Sequence, residues 1–276
     1  MPKTIFGNIQ KYVQSFDIIC IGESKLDGAD EHNVEDVFKE FSAKFQHRTK
    51  YTRKSGGLLT LVKNHIAKHV SEIDDPRLCD IDWIQPFKVH KELTGQDFIL
   101  CNTYVPPDNS KYMQGDEFET LAEILCDINV NSNLPICIMG DLNARTGHLE
   151  DFTLLDDHVA EVAGLPERND IFVNAESIES LGIKLKRCNE DDKINTNGNK
   201  FLDMCKDVGV LIANGRIGKD SNIGKLTCSD SQGNLCSAVD YAAISPILLN
   251  TICDFEIDTF DNTMSDKHCP INCRVV

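Results

Sequence analysis

The run Leu134-Pro135-Ile136-Cys137-Ile138-Met139-Gly140-Asp141 constrains this chain more than any other stretch. It is apolar, opens on proline and lacks a helical period, so it reads as a buried strand. Similar runs recur at Ile18 to Gly22, Gly56 to Val62, Phe98 to Val105, Val210 to Ala213 and Ala238 to Ile244, with a weaker one at Ile81 to Phe87 and a short final strand at the end of the chain. Pro106-Pro107 closes the Phe98 run, because proline cannot extend a ladder. Between the strands, helical spacing appears within Val34 to Phe45, at Glu117 to Ile128, and at Asn199 to Val208 before Gly209. Residues 145–190 are polar and weakly patterned and read as a long loop region. Helices alternate with strands only in places, which predicts a mixed α/β layered fold, two packed sheets flanked by helices, rather than a doubly wound one. No linker or repeat interrupts residues 1–276, so a single domain is expected.

The strands share a second property: polar residues stand at or just beyond their ends. These are Glu23, Asn102 with Tyr104, Asp141 with Asn143, Asp240, and Asp266 with His268. Alternation along an extended chain sends Asp141 and Asn143 off the same face. Alone, each has a plain reading: Glu23 is a solvated residue after a strand, Tyr104 a half-buried aromatic, Asp141-Leu142-Asn143 a turn. Asp240 is harder to set aside, because a carboxylate in an apolar strand needs a partner. Together they suit phosphoryl chemistry. Carboxylates such as Glu23 and Asp266 suit Mg²⁺. Asp141 can take a proton from water while Asn143 fixes its direction, and His268 held by Asp240 can donate to phosphoryl oxygens. Ser265-Asp266-Lys267-His268 does not make a serine triad, since near-adjacent residues rarely reach that geometry and no GxSxG elbow is present.

Composition narrows the partners. A formal charge of −16 argues against coating nucleic acid or an anionic membrane by bulk electrostatics, and it suits a protein that recruits divalent cations. The 12 cysteines include no CxxC pair, and Cys20, Cys101 and Cys137 lie in apolar strands, so free thiols are expected rather than a structural zinc site. Met1 to Phe16 carries no apolar secretory core and no run reaches transmembrane length, which predicts an intracellular protein, with the nucleus as a candidate compartment.

Five blocks then occur in order: Gly22-Glu23-Ser24-Lys25-Leu26, Asn102-Thr103-Tyr104-Val105-Pro106-Pro107, Gly140-Asp141-Leu142-Asn143-Ala144-Arg145, Ser237-Ala238-Val239-Asp240-Tyr241 and Ser265-Asp266-Lys267-His268-Cys269-Pro270. Together they resemble the endonuclease/exonuclease/phosphatase family, and more narrowly the endonuclease domain of non-LTR retrotransposons, related to apurinic endonucleases and DNase I. Leu202-Asp203-Met204-Cys205 and Asn214-Gly215-Arg216 are similar to the same group. The resemblance implies a four-layered α/β sandwich and Mg²⁺-dependent phosphodiester hydrolysis, with Mn²⁺ as the alternative ion. It makes Glu23 the main metal ligand, with Asp266 near the metal. Asp141 acts on water, Asn143 holds water or phosphate, and Tyr104 and His268 contact phosphate, His268 being oriented by Asp240. Asn102, Thr227 and Ser237 fall on substrate-binding positions. DNA is the implied substrate of a monomer without membrane contact, and a reverse transcriptase is the implied partner domain of a full-length element.

Two departures stand out. The family opens on a strand bearing a metal-site asparagine, and no such strand precedes the Glu23 strand here. The family's terminal Ser-Asp-His is interrupted by Lys267, which shifts Asp266 or His268 by one position unless a turn absorbs it. The alternatives to a DNA endonuclease are a phosphoesterase for a small molecule or lipid headgroup, which the −16 charge favours, and, from another class, a truncated, catalytically inactive relic, or a binding and scaffold domain.

Overall fold

The computed structural model describes residues 11–48, 56–78, 81–113, 115–153, 175–262 and 265–276. In chain order its first strands are β1 (Ile18–Ile21), β2 (Phe41–Gln46), β3 (Leu58–Lys63), β4 (Val70–Glu72), β5 (Ile84–Val89), β6 (Phe98–Tyr104) and β7 (Ile136–Asp141). There follow β8 (Leu211–Ile212), β9 (Cys228–Ser229), β10 (Leu235–Ser237), β11 (Asp240–Ile244), β12 (Ile252–Ile257) and β13 (Ile271–Val275). Three helices matter for the layers: α1 (Glu31–Val37), α2 (Glu117–Ser132) and α3 (Thr196–Val208). None of the described helices is long and apolar enough to cross a membrane.

The central sheet has six strands in the order β4-β5-β6-β7-β11-β8. Only β6 and β7 run parallel, and α2 is the crossover that such a pair needs. One face of the sheet, through Ile99, Cys101, Ile136, Ile138 and Ala243, packs on Phe118, Leu121 and Leu125 of α2 and Phe201, Leu202 and Cys205 of α3. Burying each large side chain there contributes about 1.5–3 kcal/mol. Asp116 caps α2, accepting from Glu119 N at 3.2 Å, and Asn195 caps α3, accepting from Gly198 N at 2.7 Å.

The opposite face, through Phe98, Leu100, Cys137, Ala242 and Ile244, meets Ile18 and Cys20 of β1, Phe255 and Ile257 of β12, and Ile271 and Cys273 of β13. This second β layer is antiparallel and comes in two pieces, β1-β3-β2 and β12-β13. Ile19 and Ile21 point the other way, with Leu59, Leu61 and Phe41, and are covered by Val34 and Phe38 at α1. The result is four layers: α2 and α3, the six-stranded sheet, the divided antiparallel layer, and α1.

Several expected elements move. The stretch Val34 to Phe45 is divided, helical to Val37 and a strand from Phe41. A spacing of four residues keeps Phe41 and Phe45 on one face of a helix and also of a strand, so the pattern does not separate the two. The strand expected at Ile81 to Phe87 is Ile84–Val89, and that at Ala238 to Ile244 begins at Asp240. In the long loop, Ala175–Ser180 is a short helix, while residues 154–174 lie outside the described residues. The β9–β10 hairpin and β12 have no counterpart in the sequence reading. Among the described residues β1 is the first strand; residues 1–10, where the family's opening strand was sought, lie outside them. All eleven described cysteines are free thiols.

Candidate active site

Three strand ends set the frame. Tyr104 closes β6 beside Asp141, which closes β7, and Asp141 pairs in register with Asp240 at the start of β11. One row thus carries a phenol and two carboxylates on the same face of the sheet, the face turned towards the second β layer. Gly140 makes the close approach feasible. Its φ is +150°, and a Cβ there would lie 1.8 Å from Thr103 O.

After β7 the chain turns sharply at Asn143, whose φ is +46°. The turn aims the asparagine back: its backbone N–H donates to Asp141 Oδ1 at 2.9 Å, and its amide donates to Asp141 Oδ2 at 3.2 Å and Val105 O at 2.8 Å. From the far side comes His268. Its Nδ1 lies 3.0 and 2.9 Å from the two Asp240 oxygens. An ionised carboxylate only accepts, so Nδ1 carries the proton and Nε2 faces Asp141 Oδ2 at 3.8 Å.

Lys267 is absorbed by a turn. Ser265 Oγ accepts from Lys267 N and His268 N at 3.3 and 3.0 Å, and Ser229 donates twice to Lys267 O. His268 therefore keeps its place on Asp240, and Asp266 turns outward, its side chain 94% exposed. Lys25 Nζ stands 3.9 Å from Glu23 Oε2 and 3.8 Å from Asp266 Oδ2. A cation thus already lies between the two carboxylates expected to hold the metal, and their hard oxygen donors suit a divalent ion. Asp141, Asp240 and His268 form a second group whose ligand atoms lie within 4.8 Å of one another.

The electrostatics follow from burial. The Asp141 carboxyl is pushed up to about 8, by desolvation first and then by Asp240, while His268 and the Asn143 N–H pull it down. For His268 burial opposes the charged ring, but the hydrogen bond and charge of Asp240, with Asp141 and Glu23 beyond, lift it to about 9. The two share protons as a unit. Burial, then Glu23 and Asp141, holds the Tyr104 phenol above its ordinary value, so it stays a donor at neutral pH.

Other expected residues lie elsewhere. Asn102 is fully buried between the sheets, donating to Leu59 O at 3.3 Å and Thr60 Oγ1 at 3.0 Å. Thr227 is fully buried too; its Oγ1 accepts from the backbone of Val239 and Asp240 at 3.0 and 3.1 Å. In this structure both are buried supports, whereas the resemblance put them on substrate-binding positions: alternation carries Asn102 one pleat below Tyr104, and Thr227 holds the start of β11. Ser237 ends β10, is buried, and sits opposite Cys228. The sequence reading missed Asn195 and Asp191. Asn195 donates to Asn143 O at 2.9 Å while capping α3, and Asp191 receives Arg145 Nε at 2.8 Å and Ala238 N at 3.0 Å. Both lie in polar loop sequence, where only the Asx-type capping signal before α3 was readable.

A family model described as the Endonuclease/Exonuclease/phosphatase family matches residues 5–180. No match is found among curated proteins. The AP endonuclease LMAP from Leishmania major superposes with a TM-score of 0.63 at 14% identity, over 98% of this chain and 83% of that one. The 3' phosphatase NExo from Neisseria, bound to product DNA hairpin, gives 0.62 at 13% identity, over 99% and 95%. An AP endonuclease from Archaeoglobus fulgidus gives 0.53 at 14% identity, over 98% and 93%. At these identities the likeness is one of fold.

Proposed function

This chain belongs to the Endonuclease/Exonuclease/phosphatase family, and from that premise we propose that it is a divalent-metal-dependent phosphodiester hydrolase that nicks DNA. The observation that carries the proposal is the row Tyr104–Asp141–Asp240, with His268 hydrogen-bonded to Asp240 and facing Asp141. Asp141 lies where a water can be aligned, with Asn143 fixing both carboxylate oxygens. In its ionised form it orients that water and takes its proton. His268, held protonated by Asp240, donates to the phosphoryl oxygens as charge develops. The Tyr104 phenol donates to the same phosphate.

Glu23 and Asp266 are the residues that would hold the ion, displacing the Lys25 ammonium from between them. Bound there, Mg²⁺ or Mn²⁺ supplies Lewis-acid stabilisation of charge on phosphate oxygens. DNA as substrate is supported by the AP endonucleases and the DNA-bound 3' phosphatase of the same fold. The finer reading, a retroelement endonuclease normally joined to a reverse transcriptase, is supported by the order of the five sequence blocks.

The formal charge of −16 favours the second reading, a small phosphoester as substrate. Supercoiled plasmid and a panel of small phosphoesters assayed side by side separate the two. Plasmid nicking with negligible turnover of the panel supports the DNA reading. Rapid hydrolysis of a small phosphoester with intact plasmid would overturn it.

A further inference from the structure

Close to the site, the described residues include a buried cation for which the chemistry above has no use. The Arg48 side chain is 3% exposed, and Asp82 is its carboxylate neighbour, at 3.3 Å from Nε. That contact is poorly aligned. Arg48 Nε and Nη2, and Asp82 Oδ1, make no hydrogen bond among the described residues. Unmade hydrogen bonds on buried ionic groups are costly, and an apolar side chain of similar volume is often as stable or more so. Stability alone does not explain an arginine here.

What the guanidinium does meet is aromatic. Its Cζ lies 5.9 Å from the Tyr104 ring centre and 5.2 Å from that of Tyr112. A planar cation against a ring restrains the orientation of that ring, which the broad terminal torsion of tyrosine leaves soft. The seat for it is Gly56, with φ +65°, where a Cβ would lie 2.4 Å from Arg48 Cζ. The same two-glycine turn fastens the Glu23 segment: Gly57 O accepts from Ser24 N and Gly56 O from Lys25 N, both at 3.0 Å. Arg48 is too deeply buried to touch a phosphate itself.

We propose that Arg48 is a positioning residue: its guanidinium, seated on Gly56 beside Tyr104 and Tyr112, holds the Tyr104 phenol against the scissile phosphate. This rests on the phosphate contact assigned to Tyr104 under the proposed function. Arg48 acts through the ring alone, so the two residues form one functional unit and their substitutions are not additive.

The test is a double-mutant cycle of Arg48→Met and Tyr104→Phe on nicking by the full chain, with kcat, KM and melting temperature measured for each variant. Arg48→Met is expected to lower kcat about tenfold with KM within about twofold, and to add nothing further in the Tyr104→Phe background. Arg48→Lys, which keeps the charge but loses the plane, is expected to recover part of the loss. The same kcat loss in both backgrounds, or a lowered melting temperature with unchanged kcat, would overturn the proposal. Should Arg48→Met fail to fold, Tyr112→Leu loosens the same stack and is read by the same cycle. Ring signals of isotope-labelled tyrosine give a readout independent of turnover. Slow flipping of Tyr104 in the wild type and fast flipping in Arg48→Met are expected, even if the wild type proves to act on another phosphoester; identical ring dynamics would refute the role.

Discussion

Asp141 is held in an environment that favours its proton: buried, and facing Asp240 across one register step. A carboxyl pushed up from near 4 to about 8 binds a proton more tightly in the folded chain than in the unfolded one. Its contribution to stability is therefore fully present below pH 4 and lost as pH rises through 8. Asp141→Asn mimics the protonated form. Without metal, the variant is expected to melt about 4–8 °C above the wild type at pH 8, a gain of about 2 kcal/mol, and to flatten the decline between pH 4 and 8. Calorimetry across that range checks this; a variant less stable at every pH contradicts it. Asp240→Asn separates positioning from folding: nicking is expected to fall about a hundredfold, because His268 loses both its orientation and its reason to stay protonated. Glu23, Asp141 and Asn143 were singled out because each ends or follows a strand with a marked pattern, Asp240 because a carboxylate in an apolar strand needs a partner, and His268 by the order of the sequence blocks. Arg48, Asn195 and Asp191 were not, since their roles come from contacts made across the chain.

At the level of elements, the site depends on one close approach between strands, at Gly140 of β7, and on one turn, at Lys267. Gly140→Ala drives a Cβ into Thr103 O, a backbone atom that cannot swing aside, so a loss of about 3 kcal/mol or more, or failure to fold, is expected in denaturant titration. The Lys267 turn gives a sharper test. Deleting Lys267 restores the family's Ser-Asp-His spacing, yet the carbonyl that Ser229 holds would vanish and His268 would swing from Asp240. The structure predicts at least a tenfold loss of nicking on deletion; a gain would mean that the turn is a defect. Helices α2 and α3 and strands β6 and β7 were readable because long periodic runs and proline or glycine stops mark them. Strand β2 was hidden by a spacing common to both periods, and the β9–β10 hairpin by its short, polar sequence.

The molecule as a whole is a layered frame whose charge opposes its proposed substrate. Along α2 and α3, Asp116, Glu119, Glu123, Asp127, Asp203 and Asp207 line an acidic groove in which, among the described residues, Arg77 and Lys200 are the counter-charges. These helices cover the sheet face opposite the one that carries the site. With a net charge of −16, undamaged duplex is expected to bind weakly without divalent ions, at no tighter than about micromolar in a gel-shift titration. Layer order was legible from alternating apolar runs. The division of the second β layer was not, because pairing partners are chosen by tertiary contacts.

The central claim is that the Asp141 cluster hydrolyses DNA with a divalent ion. Nicking of supercoiled plasmid by the purified chain with Mg²⁺, beside EDTA and Asp141→Ala controls, tests it most directly. The expected result is relaxed circles with the wild type and Mg²⁺, none with EDTA, and at least a thousandfold slower nicking with Asp141→Ala. Plasmid left supercoiled by folded, monodisperse wild type, or nicked equally well by Asp141→Ala, would contradict the account.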